Sequence, residues 1–448
     1  MALVEKHFMG GDCLNVGCVP SKALIAAARA AAAVQNAGEF GVVVPPGTSI
    51  DFERVMERMQ RLRADLSEND SAARFRNLGV DVFLGAAEFT ADGAAVRVGN
   101  SSLRFKKAVI ATGSHASIPS IRGLEEAGYL TNETVFSLTA LPRRMAVIGG
   151  GPIGCELAQA FARFGSRVSL FHSHKQILRR EDADAAQVVE QALRRDGVEF
   201  LCDSQIDSVH PVTDGKSIAF ESHGLRRELV VDAILVAVGR APNVAGLNLQ
   251  GAAVNFDPRT GVQVNDHLQT TNPRVFAAGD VCSAYQFTHA ADAQARIVIQ
   301  NALFLGRAKA SALMIPRCTY TTPEIAHVGL TAKDAETRGI SVQSYVQQLS
   351  HLDRAVLDGE SEGFAKVLVR RNTDQIVGAT IVASRAGDLI SEISVALQNG
   401  IGLKGIGRTI HPYPTQADAI HKIADQFQRT RLTPILKSLI HTWLRWTQ

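Results

Sequence analysis

Cys13 and Cys18 are separated by four residues and lead, through Pro20 and Ser21, into an alanine-rich helix expected over residues 21–35. A helix N-terminus offers unpaired N–H groups and the positive end of the helix dipole, and both stabilise a thiolate. Such a pair can exchange electrons by cycling between dithiol and disulfide. Two blander readings stand beside that one: half of a zinc site, or two inert buried thiols. Zinc requires two further ligands, usually a second matched pair, and the chain has no second close pair of cysteines. No metal site is expected, and Cys155, Cys202, Cys282 and Cys318 read as isolated core thiols.

Gly149, Gly151 and Gly154 form a second constellation, G-x-G-x-x-G. They follow an apolar strand expected at 145–148 and open a helix expected over 155–164, with the next strand at 168–171. That context is what dinucleotide binding requires: a tight turn, close backbone approach to a pyrophosphate, and a helix N-terminus aimed at the phosphates. An acidic residue at the end of the second strand would hold the ribose 2′-hydroxyl of NAD. Here the segment from His172 to Arg180 is basic, and no carboxylate occurs before Glu181. Lys175, Arg179 and Arg180 would attract a 2′-phosphate, so NADP is expected, with NAD as the alternative.

A chain of 448 residues is too long for one ordinary core. Its 46% hydrophobic and 20% charged residues describe a globular protein, and a net charge of +3 gives no warrant for nucleic acid as a partner. No window is expected to cross a membrane and no secretory leader precedes Glu5, so a cytoplasmic protein is expected. One long charged helix is expected over 52–77, with Val55, Met59, Leu62 and Leu66 inward. Strands near 107–110 and 234–238 end at Ala111-Thr112-Gly113 and at Gly239-Arg240-Ala241-Pro242-Asn243, and an apparent hairpin at 364–369 and 375–380 opens an α+β region.

The run from Gly10 and Gly11 through Cys13, Cys18 and Pro20-Ser21-Lys22 resembles the active-site signature of the class I pyridine nucleotide-disulfide oxidoreductases, which include mercuric reductase, glutathione reductase and dihydrolipoamide dehydrogenase. The resemblance extends from Leu3 to about Arg431. It implies an α/β fold with two Rossmann-like dinucleotide-binding domains, for FAD (1–140 and 272–315) and NAD(P) (141–271). An α+β dimerisation domain (316–431) and a basic amphipathic tail (432–448) complete the expected order. By resemblance Cys13 is the interchange thiol, Cys18 the charge-transfer thiol, and Lys22, near the flavin, pairs with Glu156. The flavin site would further include Glu5, Gly11, Thr112, Gly113, Asp280 and His289, and the nucleotide site Gly239. The family's catalytic acid/base comes from the partner subunit, which implies a homodimer.

Two departures from the family pattern bear on function. Relatives open with a strand, glycine turn and helix before the strand whose glutamate corresponds to Glu5. A start of roughly thirty residues is therefore expected to be missing, and weak FAD retention with it. The second departure is at His411-Pro412-Tyr413-Pro414-Thr415, where Tyr413 takes the place of the family's catalytic histidine and Asp418 that of its glutamate. A phenol titrating near ~10 is a poor base beside an imidazole near ~6.5, and His411 offers a partial substitute. Tyrosine here is similar to mercuric reductases, although their C-terminal cysteine pair has no counterpart after Cys318. The expectation is electron flow from NAD(P)H through FAD to the Cys13–Cys18 disulfide, and on to a small disulfide or thiol-bound metal. The alternatives are a dihydrolipoamide dehydrogenase running toward NAD, and a non-catalytic fragment unable to hold FAD. The tail is expected to pack on its own protein, with membrane contact as the lesser reading.

Overall fold

The computed structural model describes residues 1–447; Gln448 and the side chains of Ile435 and Leu436 lie outside the described residues. The chain forms two compact units, one of residues 1–175 and 196–313, the other of 176–195 and 314–448.

The first unit begins with β1 (Ala2–Glu5), α1 (Gly11–Val16) and α2 (Cys18–Gln35). Next come α3 (Phe52–Ser67), α4 (Ala72–Asn77), β2 (Asp81–Leu84) and β3 (Ala108–Ile110). The helix expected over 52–77 is broken, because Ser71 turns extended and its hydroxyl caps a new helix by accepting from the Arg74 N–H. The inward face of α3 is Phe52, Met56 and Met59, whereas Leu66 is exposed. Its charged spacing tolerates either face, and packing selects the one bearing aromatic and thioether side chains.

β4 (Arg144–Ile148), α5 (Pro152–Phe164) and β5 (Arg167–His172) form the β-α-β unit read from the glycines. With β6 (Glu199–Cys202) and β7 (Ala233–Val236) they build a parallel sheet in the order β6-β5-β4-β7. Strands buried on both faces read as apolar runs, and Met145, Ala146, Val147 and Leu170 are accordingly fully buried. β1 pairs in parallel with β2, and β3 pairs in parallel with β8 (Val275–Ala277). Among the described residues these remain separate two-stranded sheets.

Gly11–Gln35 is long and apolar enough, by length and composition, to cross a membrane, contrary to expectation. It is nevertheless interrupted at Gly17, buries Leu24, Ile25 and Ala28, and packs on α3 and α5. The two consecutive helices belong to the fold, α1 carrying Cys13 and α2 carrying Cys18.

The second unit takes α6 (Ala183–Arg195) from mid-chain. Its antiparallel sheet comprises β9 (Arg317–Thr319), β10 (Glu324–Gly329), β11 (Val342–Gln348), β12 (Phe364–Arg370) and β13 (Ile376–Ala383), in the order β9-β10-β13-β12-β11. The β12–β13 hairpin matches the sequence expectation. α8 (Ala386–Gln398) and α9 (Asp418–Thr430) bury Ile390, Ile393, Ile420 and Ile423 in the core of this unit. A last helix, α10 (Pro434–Trp446), follows.

Candidate active site

The first unit holds the thiols. α2 starts at Cys18, three residues earlier than the sequence indicates, because the Gly17 carbonyl already accepts from the Ser21 N–H. Cys18 thus lies in the first turn, in the field of the helix N-terminus. The preceding turn is fastened from three directions. The Asn15 amide donates to the Met9 and Gly11 carbonyls, Arg63 of α3 donates to the Asn15 carbonyl at 3.1 Å, and Asn132 donates to that of Val16 at 3.2 Å. Gly17 leaves no room for a side chain, since a Cβ there would lie 2.9 Å from the Asp12 carbonyl oxygen.

A second helix, α7 (Thr288–Leu303), also begins at the thiols: the Thr288 hydroxyl sits 3.4 Å from Cys18 Sγ. The two sulfurs have opposite acidities. Cys18 is lowered to about 6, first by the hydrogen bond from the Cys13 thiol, then by Thr288 and the positive charge of Lys22, with burial opposing. Cys13 is pushed strongly up, first by giving that hydrogen bond and then by burial. The arrangement is a thiolate at Cys18 held by a protonated thiol at Cys13.

Lys22, one turn into α2, lies 2.8 Å from Glu156 Oε2. Glu156 is on α5 and is only 5% exposed, so the ammonium offsets a buried carboxylate and is itself fixed beside the thiols. Sequence reading missed a further tie. Arg240 pairs with Asp12, the residue before Cys13, and with the Ser114 hydroxyl at 2.7 Å, which in turn donates to Asp280 at 2.6 Å. Burial raises Asp12, with Arg240 opposing. The only local signal for Arg240 is a charge directly after an apolar strand; its partner is 228 residues away.

The other flavin-side residues are arranged as follows. Asn243 donates to the Thr112 carbonyl at 2.8 Å and accepts from its hydroxyl at 2.7 Å, fixing Thr112 and Gly113. His289 stacks on Phe287 at 5.3 Å. Glu5 accepts from the His7 N–H at 2.8 Å, and Gly10 and Gly11 are both left-handed, at φ 89° and 61°. These groups fit the ring and ribityl portions of FAD: an ammonium, a carboxylate, a thiolate and the start of α7 face one region. Besides the turn at Gly149, a glycine turn joins β1 to α1 at Gly10 and Gly11, and that one leads into the thiols.

The turn at Gly149 is tightly built. A Cβ at Gly149 would lie 2.3 Å from the Ala237 carbonyl oxygen, and one at Gly154 would lie 1.8 Å from that of Gly149. Nothing lies within 4 Å of a Cβ at Gly151, the residue capping α5, which leaves a phosphate room to approach. His172 ends β5, and its Nδ1 accepts from the Gly150 N–H at 3.3 Å. Gly239 is left-handed at φ 137°. Lys175 is exposed in the first unit, and Arg179 and Arg180 are exposed in the second. Glu181 is committed to Arg317 at 2.6 Å, so no carboxylate of this segment is left to receive a ribose hydroxyl.

In the second unit the C-terminal residues do not form the expected Tyr413–Asp418 pair. The Tyr413 hydroxyl donates to Asp353 at 2.8 Å, and that bond, with the carboxylate's charge, raises the phenol further. Asp418, the first residue of α9, faces Lys422 at 3.5 Å and His421 at 3.9 Å. His411 is the residue that finds a carboxylate: its Nε2 lies 2.9 Å from Glu392 of α8, and its Nδ1 lies 3.1 Å from the Thr409 carbonyl. Each ring nitrogen thus faces an oxygen. Neither Glu392 nor Asp353 was read from the sequence: Glu392 sits in the mainly apolar α8 and Asp353 opens a five-residue helix, neither with a local mark.

Comparison with known proteins agrees with this geometry. The profile described as "Pyridine nucleotide-disulphide oxidoreductase" matches residues 1–295, and that family's dimerisation domain matches residues 315–424. The chain belongs to this family of flavin-dependent oxidoreductases, whose members bind FAD and NAD(P), and its dimerisation domain supports a homodimer.

Among relatives, a mercuric reductase of Staphylococcus aureus is 32% identical over 96% of this chain and 78% of its own length. A dihydrolipoyl dehydrogenase of Chlamydia muridarum is 31% identical over 93% and 89%. The solved structure of the HOCl-induced flavoprotein disulfide reductase RclA from Escherichia coli covers 95% of this chain and 93% of its own, at 27% identity and a TM-score of 0.84.

Proposed function

We propose that this enzyme is a cytoplasmic, NADPH-using reductase of mercuric-reductase-like character, whose substrate is a metal ion held by small thiolates. The observation that carries the reading is the contrast between its thiols and its acid/base segment. The thiols keep a thiolate, a proton-bearing partner and a fixed ammonium. Tyr413, where disulfide-reducing relatives carry a histidine, is bonded to Asp353 and raised, which suits it poorly to moving protons at neutral pH.

A metal ion needs ligands more than a proton shuttle. Cys13 meets the metal first, its proton leaving with the first displaced small thiol. The Cys18 thiolate follows and displaces the second ligand as a thiolate, so each bond formed to the metal replaces one broken. Bound FAD and pyridine nucleotide supply the two electrons of the reduction. Lys22 and Glu156 hold charge beside the thiols, Asp280 and Thr112-Gly113 would hold the flavin, and Gly149–Gly154 would hold the nucleotide pyrophosphate. The exposed cation Lys175, in a run from His172 to Arg180 without a carboxylate, supports NADPH.

The test is NADPH oxidation by the purified protein in the presence of mercuric ion and excess small thiol. Metal-dependent turnover that exceeds turnover with lipoamide, and a kcat/KM for NADPH above that for NADH, are expected. Faster lipoamide turnover with NADH overturns the substrate and cofactor assignments. Purified protein without flavin absorbance, even after incubation with FAD, overturns the enzymatic reading itself.

A further inference from the structure

The tail outside the redox machinery carries its own chemistry. Thr433 accepts the first helical hydrogen bond from the Lys437 N–H at 2.9 Å, and Pro434 takes the first helical position, where its missing N–H costs nothing. At about 100° per residue, Lys437, His441 and Arg445 fall in one row. Leu439, Ile440, Trp443, Leu444 and Trp446 fill the other half of the helix. All five apolar side chains are open to solvent, Trp443 at 64% and Trp446 at 87%. The expectation that this tail packs on its own protein is therefore not met among the described residues.

α9 shows what a covered helix looks like in the same unit. It is also amphipathic, and its Ile420, Ile423 and Phe427 are buried. α10 buries none of its described side chains. A helix of this length is marginal in water unless its apolar face finds a surface.

Charge identifies that surface. Residues 426–448 contain Arg429, Arg431, Lys437, His441 and Arg445, and no aspartate or glutamate. Two copies packed through this face would cover the apolar side chains but leave the cation row of each pointing outward, with no anionic partner. An anionic surface pairs with every one of them. Both tryptophans of the chain lie on this helix, and an indole suits the boundary between water and lipid. Thirteen residues rise only about 20 Å, too short to span the roughly 30 Å hydrocarbon core of a bilayer, so the helix would lie in the plane of the interface.

We propose that α10 is a peripheral membrane anchor that docks this reductase on a bilayer surface rich in anionic headgroups. The cation row faces the lipid phosphates, and the Trp443–Trp446 side enters the acyl boundary.

The full-length protein tests this directly, because its tryptophan emission reports on α10 alone. Phosphatidylcholine vesicles containing phosphatidylglycerol should shift that emission to the blue. They should also carry down on the order of tenfold more protein than pure phosphatidylcholine vesicles, an excess that high salt abolishes. The variant carrying Lys437→Glu and Arg445→Glu should lose the excess while keeping its NADPH oxidation, since neither residue touches the redox site. Absence of both the shift and the sedimentation overturns the proposal. So does an emission already blue in buffer that vesicles leave unchanged, because α10 is then covered by a second copy of the chain.

Discussion

The thiol site and the C-terminal segment descend from one family pattern, yet the structure treats them differently. Around Cys18 every group the pattern requires is present and partnered: Cys13 donates to it, Thr288 caps it, and Lys22 is held by Glu156. At residues 411–418 the groups form separate pairs instead of one joined cluster. His411 pairs with Glu392, Tyr413 donates to Asp353, and Asp418 faces cations. The groups around the thiols are joined end to end, so a change in one reaches the others; the pairs at residues 411–418 can change one at a time.

The comparison breaks most visibly at Cys18. Cys18→Ser should reduce turnover by roughly 10³-fold or more, and should remove the long-wavelength absorbance that NADPH produces anaerobically. Retention of that absorbance would assign the thiolate elsewhere. His411→Gln comes next and sharpens the division of labour. With a small disulfide as substrate it should cost on the order of 10²-fold in kcat, and with a thiolate-bound metal far less. An equal loss on both substrates would make His411 structural.

Lys22→Met acts through its neighbours. It leaves Glu156 buried without its cation, and because Lys22 is 37% exposed the stability cost should be about 1–2 kcal/mol, below that of a fully buried pair. It should also move the Cys18 titration. A thiol lowered to about 6 is thiolate above that pH, and both its ultraviolet absorbance and the stability it contributes fade as pH falls through that value. Without Lys22 the midpoint should rise. An unmoved midpoint would show that the Cys13 hydrogen bond alone sets it. The smallest effect belongs to Tyr413→Phe, which should leave metal-dependent turnover little changed, and a large loss would restore Tyr413 to the catalytic machinery.

What the sequence disclosed follows a physical line. The thiols, Gly149–Gly154 and the β12–β13 hairpin were legible because short-range geometry demands particular residues at fixed spacings: a Cβ at Gly154 collides with Gly149 itself. The break at Ser71 was obscured because helix-compatible residues surround it. Arg240, Asn243, Glu392 and Asp353 were illegible as partners, since an ion pair between distant segments leaves no periodic trace. The fate of α10 was misjudged for a related reason: amphipathicity announces that a face needs covering but not what covers it.

The ties to the redox segment have an order in time as well as in space. A ribosome makes Cys13 and Cys18 almost at once, but Lys22 waits for Glu156, Asp12 for Arg240 and Cys18 for Thr288. A nascent chain therefore carries thiols whose electrostatic setting is completed only when α7 emerges. Arrested chains ending before residue 288 should react more slowly with an alkylating agent at pH 7 than the finished protein does. Equal rates would mean that Cys13 and α2 suffice. The late supply of these partners would keep the sulfurs unreactive during synthesis and activate them with the closing of the fold.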